Sequence, residues 1–260
     1  MGALRPVERR PVSATTPALP APTVSADALA ELPHQRPRRA PASTADVAVE
    51  SRPEKPLLRG WLHAGLVPVV LASGAVLLPR AGTPAQTGAV AVYLTVSAVL
   101  FATSALYHRL SWSPEALLRV QRLDHGNIPL AVAACATPLL VVGLPGRDGS
   151  LLLVAVWAAA LLAAAARWLW PSCPRPLHTA GTVALGWAVV PSLPAVAAHG
   201  QPVVAVLVVV GGVLFTAGGA VYATRWPEPS PRWFGHHEVF HALTVVAWPV
   251  HAAAVWLLCA

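Results

Sequence analysis

Seven apolar stretches constrain this chain more than anything else in it. They lie at about 61–79, 88–110, 125–145, 150–170, 178–198, 203–223 and 237–259. Each has about 20 residues, and at about 1.5 Å rise per residue that length crosses a hydrocarbon core of roughly 30 Å. Backbone amides in lipid find no water, so each stretch must satisfy its own as a helix. Turn and charge signals separate most of them: Pro79-Arg80 to Thr83-Pro84, Gly146-Arg147-Asp148-Gly149, Pro171 to Pro176, Ala198 to Pro202, and Arg225 to Arg232. The fold class predicted is an all-α membrane protein, a bundle of seven transmembrane helices. Pro68, Pro129, Pro138, Pro191, Pro194 and Pro249 fall inside the stretches and predict kinks. Gly211 with Gly218, and Gly212 with Gly219, recur at a seven-residue spacing that predicts close helix packing.

Charge placement supports this reading and predicts an orientation. Only 11% of the 260 residues are charged, against about 25% in a soluble domain. Residues 1–56 are rich in Pro, Ala, Ser, Thr and Arg and hold no apolar run of helix length, which predicts a disordered tail. They contain no h-region of a secretory signal. Residues 57–260 form the membrane domain. One set of connections carries Arg109, Arg119, Arg122, Arg167, Arg175, Arg225 and Arg232; the other carries only Arg80 and Arg147. The positive-inside rule then puts the N-terminus in the cytoplasm and the C-terminus outside, in the inner (plasma) membrane of the cell. The net charge of +7 does not point to nucleic acid, because the bases are scattered between apolar runs without interleaved aromatics. Cys135, Cys173 and Cys259 are far apart and form neither a CxxC pair nor a disulfide framework. Trp61, Trp112, Trp168, Trp170, Trp226 and Trp233 cluster at span ends as an aromatic belt.

The polar residues at membrane depth are the functional candidates, since ionisable groups there are costly to keep. His237 and His241 open the last stretch, four residues apart and so on one helical face. With Glu238 they spell H-E-x-x-H, a zinc-protease signature. His108 ends the second stretch at the same depth, with Ser104 one turn deeper, and Asp124 is predicted to begin the third. Three neutral imidazoles suit Zn²⁺ and leave a fourth position for water, as in catalytic zinc sites. Asp124 is placed to manage the proton of that water, and Ser104 to hydrogen-bond a ligand or substrate.

The strings Ser104-Ala-Leu-Tyr-His108, Leu123-Asp124-His125 and His237-Glu-Val-Phe-His241 together resemble the haemolysin III family, within the PAQR superfamily of adiponectin and progestin receptors. Similar context is found in Leu58-Arg-Gly-Trp-Leu-His63, in Thr137-Pro138 and in Pro227 to Gly235. The resemblance covers about residues 56–260. It implies seven helices, a cytoplasmic N-terminus and a zinc near the cytoplasmic face, held by His108, His237 and His241 with Asp124 near the metal-bound water. Related eukaryotic receptors are linked to ceramide hydrolysis. One departure stands beside Asp124: the family often has Asp-His-Ser, whereas this chain has Asp124-His125-Gly126-Asn127, which puts substrate contacts there in question.

Three functions follow from these residues. The first is metal-assisted hydrolysis of an amide or ester in a lipid, with the bilayer and a lipid substrate as partners. The second is a non-enzymatic receptor-like or pore-forming (cytolytic) protein with a structural zinc, for which His125 or His236 offers a fourth ligand. The third is a membrane metalloprotease using Glu238. It lacks a downstream ligand, because His251 lies ten residues past His241, about 15 Å along a helix. Glu238 otherwise reads as a first-turn acid facing the helix dipole. His63 is expected at the interface, with a place beside the metal ligands as the alternative; His178 and His199 are expected at helix ends, and His251 hydrogen-bonded to a carbonyl freed by Pro249.

Overall fold

The computed structural model describes residues 55–170, 172–199 and 202–259. The predicted tail lies outside the described residues except for its last two positions. Among the described residues, seven helical spans are long and apolar enough to cross a membrane. They are α1 (Trp61–Leu77), α2 (Pro84–Arg109), α3 (Pro114–Pro138), α4 (Arg147–Leu169), α5 (Arg175–Trp187) with α6 (Leu193–Ala198), α7 (Pro202–Thr224) and α8 (His236–Leu258). The protein is thus an all-α, multi-pass membrane protein, as predicted. Its outer surface is apolar: Leu71, Val154, Leu162 and Leu169 are each more than 60% exposed. Such a surface needs lipid rather than water around it. Trp61, Trp168, Trp170, Trp226 and Trp233 are exposed at helix ends, as an aromatic belt requires.

Helix starts are earlier than hydropathy suggests. Thr83 caps α2 by accepting from the Gln86 N–H, and Ser113 caps α3 by accepting from the Ala116 N–H. Proline follows each cap, where its missing N–H costs nothing. The third helix therefore begins at Pro114 instead of near 125, and Asp124 does not begin it but lies three turns inside. Its first turns, with Glu115, Arg119, Gln121 and Arg122, are polar but good helix formers, so an apolar window overlooks them.

The prolines act in three ways. Pro68, Pro129 and Pro249 stay within continuous helices. Pro138 ends α3, and the span continues as a π-helical segment, Leu139–Gly143. Pro191 and Pro194 coincide with a break in the fifth span, where the 3₁₀ turn Val190–Ser192 joins α5 to α6.

Two buried clusters hold the bundle together. One joins α1, α2 and α8 around Val70, Tyr93, Phe101 and Trp248. In it the Trp248 indole donates to Ser97, and Tyr93 stacks on Trp248 and donates to its carbonyl. The other joins α3 to α8 around Leu140, Val156, Val196 and Val204. Thr137 ties α3 to α4, accepting from the Trp157 indole at 3.0 Å. Of the α7 glycines, Gly211 and Gly218 face α8, where added Cβ atoms would meet His251 at 2.2 Å and Phe240 at 3.3 Å. Gly219 instead meets Thr179 and Val183 of α5, and nothing lies within 4 Å of a Cβ at Gly212. The second predicted pair therefore does not share one partner helix.

Candidate metal centre

The C-terminal end of α2 and the N-terminal end of α8 meet at one end of the bundle, where His108, His237 and His241 converge. One ligand nitrogen from each lies within 4.8 Å of the others. The Nε2 atoms of His237 and His108 are 3.1 Å apart. Nitrogens bound to one tetrahedral zinc at 2.0–2.1 Å are about 3.3 Å apart, so this pair is already at ligand spacing. The His241 ring lies 4.5 Å from that of His237 and 5.2 Å from that of His108. His108 and His241 are buried and His237 nearly so. Three imidazoles from two helices, withdrawn from water, fit a divalent transition metal. Neither His125 nor His236 joins the group.

Sequence reasoning missed the frame around this site. The segment leading into α1 passes directly over it. Leu57 and Leu58 donate backbone hydrogen bonds to the carbonyls of Arg232 and Trp233 in the α7–α8 connection. Arg59 makes an ion pair with Glu238. Gly60 has φ +82°, and a Cβ there would lie 2.8 Å from the Cβ of His108. His63 is not interfacial as expected: it is only 3% exposed, and its ring stacks on His241 at 3.8 Å and 7°. Burial wins because α1 packs its His63 face against α8, and both ring nitrogens are left without hydrogen-bond partners. The signal was present in Arg59-Gly60-Trp61-Leu62-His63, which joins a charge, a turn residue and an imidazole at the mouth of an apolar span.

Glu238 has a structural position. It is 1% exposed, pairs with Arg59 and accepts from the Gly235 N–H at 2.9 Å. It thus closes the first turn of α8 and ties the pre-α1 segment to that helix.

Asp124 and Ser104 are both buried and line one cavity with His237 and His241. Ser104 is the hydroxyl neighbour of the Asp124 carboxylate across the α2–α3 contact. The cavity has a volume of about 190 Å³ and runs from these groups to Leu139 and Val190. Leu139, which opens the π-helical segment after α3, lies 15 residues past Asp124 along the third span, or about 22 Å along its axis. Its walls are mainly apolar, with Phe101, Ile128, Val132 and Val208 among them. Gly126 and Asn127 do not line it; Gly126 faces Ala164 and Trp168 of α4. The departure beside Asp124 is therefore directed away from the cavity. His251 lines the cavity deeper in, pressed on Gly211, but its Nε2 has no hydrogen-bond partner. The expected bond from that nitrogen to a carbonyl freed by Pro249 is not formed.

The sequence profile described as haemolysin-III related matches residues 51–252. That match takes in His108, His237 and His241 together with the Arg59–Glu238 pair that frames them. On fold, site and profile together, the chain belongs to the haemolysin-III related family of multi-pass membrane proteins.

Proposed function

We propose that the protein is a zinc-dependent hydrolase of an amide or ester bond in a lipid. We place its N-terminus in the cytoplasm, its C-terminus outside and the protein in the inner (plasma) membrane of the cell. The observation that carries the reading is the opening of a long apolar cavity onto a buried carboxylate and two of the three converging imidazoles, those of His237 and His241. A lipid tail entering that cavity brings its polar end to the histidines. The orientation rests on the arginines, seven of which flank the helix ends at the histidine side while Arg80 and Arg147 flank the other.

His108, His237 and His241 are the residues that would hold the metal. A zinc ion held there supplies a Lewis acid for the carbonyl and a water of pKa about 7. Asp124 takes the proton from the attacking water and returns it to the leaving group. Ser104 orients the Asp124 carboxylate or the substrate by hydrogen bonding. The apolar walls exclude bulk water, which strengthens each of these interactions. Glu238 has no part in the proton transfers, because Arg59 and the Gly235 N–H occupy its carboxylate. This counts against a protease use of H-E-x-x-H. A fourth protein ligand, which a structural zinc normally has, is not supplied by His125 or His236: the first sits against Arg167, the second near Glu228.

The test is turnover of ceramide-like and phospholipid substrates by the purified zinc-loaded protein and by Asp124→Asn. The variant is expected to keep its metal and lose about 100-fold or more in rate. Bound zinc with no lipid turnover in the wild type would favour the receptor-like or pore-forming alternative. Cleavage of peptides but not lipids would favour the protease.

A further inference from the structure

A second group of cationic and imidazole side chains gathers at the cavity mouth, apart from the metal centre. Arg167 lies in the last turn of α4, Arg175 opens α5, His178 follows one turn later, and His125 comes from α3. All four line the cavity. An Arg167 guanidinium nitrogen stands against His125 Nδ1. A guanidinium only donates, so Nδ1 accepts and the His125 proton is on Nε2, free to donate elsewhere. His125 is within electrostatic range of Arg167, His178 and Arg175, and His178 of Arg167.

Among the described residues, neither Arg167 nor Arg175 has a carboxylate within ion-pair distance. Asp124, next to His125 in sequence, has Ser104 as its neighbour. The Nε2 of His178 is buried with no hydrogen-bond partner, and a buried polar atom left unmatched is costly. Two guanidinium groups and two imidazoles drawn from three helices offer many donors and no answering charge. An oxyanion supplies what the group lacks. A phosphate matches it best, since its several acceptor oxygens accommodate two guanidinium forks.

We propose that Arg167, Arg175, His125 and His178 form a phosphate-binding site, filled by the head group of a lipid whose alkyl chain runs into the cavity. Two tyrosine rings stand between this site and the metal centre: Tyr222 is 6.3 Å from the His125 ring and 5.9 Å from that of His237, and Tyr107 is 6.4 Å from His125 and 4.6 Å from His108. The inference builds on the proposed hydrolase and names its substrate class, a lipid with an anionic head. Binding itself requires no turnover.

The experiment is calorimetric titration of the purified full-length protein in a neutral maltoside detergent. The probes are lysophosphatidate, a monoacylglycerol of the same chain length, and inorganic phosphate. Lysophosphatidate is expected to bind about tenfold or more tighter than the monoacylglycerol. Arg167→Gln should remove most of that preference, and so should Arg175→Gln, which alters an exposed position and keeps the test open if the first variant does not fold. Arg119→Gln, exposed at the same end but outside the cavity, should leave the preference intact. His241→Ala should also keep it, so a failed hydrolase and a failed phosphate site give different results. Equal binding of the two lipids would overturn the site, as would equal loss in Arg119→Gln. Arg167-dependent binding of inorganic phosphate, with no gain from the alkyl chain, would overturn the lipid as occupant and assign the site to the free anion.

Discussion

The last helix carries two imidazoles ten residues apart, the buried His241 and the partly buried His251, and both line the same cavity. Their surroundings differ completely. His241 has His237 one turn away, His108 reaching across from α2, and His63 stacked on its face. His251 has the open backbone of Gly211 and the ring of Phe215. A histidine at membrane depth is thus not by itself a site. What makes one is convergence of ligand atoms from separate helices, held by a frame that fixes their approach.

The sharpest break in this comparison comes from removing each imidazole. His241→Ala should lower bound metal from about one ion per chain to about none, because two imidazoles hold zinc far more weakly than three. The frame comes next. Glu238→Ala leaves Arg59 without its partner and Gly235 without its acceptor, and should cost about 3–5 kcal/mol in unfolding measurements in detergent. At the other end of α8, Gly211→Ala drives a methyl group into His251 and should cost about 1–3 kcal/mol, with metal content unchanged. The smallest effect is expected for His251→Leu. Replacing an unpartnered imidazole by an apolar group should shift stability by no more than about 1 kcal/mol and leave the metal in place. Loss of metal in His251→Leu, or its retention in His241→Ala, would erase the distinction between the two ends.

The parts of the molecule legible in the sequence were those written locally. Seven spans follow from twenty-residue apolar runs. The His237–His241 pair follows from its four-residue spacing. Alternation of the spans brings the end of the second and the start of the seventh to the same side, and the family resemblance then singles out His108 as the third ligand. The illegible parts were long-range or polar. Arg59 and Glu238 are 179 positions apart, and no periodicity connects them. The first turns of α3 are too polar for an apolar window, and their register depends on the Ser113 cap. His63 looked like an interfacial histidine because nothing local reveals that its face of α1 lies on His241. Arg167 and His125 meet only because α3 and α4 pack side by side.

The central claim is that His108, reaching from a helix 129 residues distant in sequence from His237, completes a three-imidazole metal centre. Metal analysis of the purified protein, wild type beside His108→Ala, tests it most directly. The account predicts about one zinc per chain in the wild type and none in the variant. Equal zinc in both proteins would contradict it, as would a wild type that binds none when zinc is supplied.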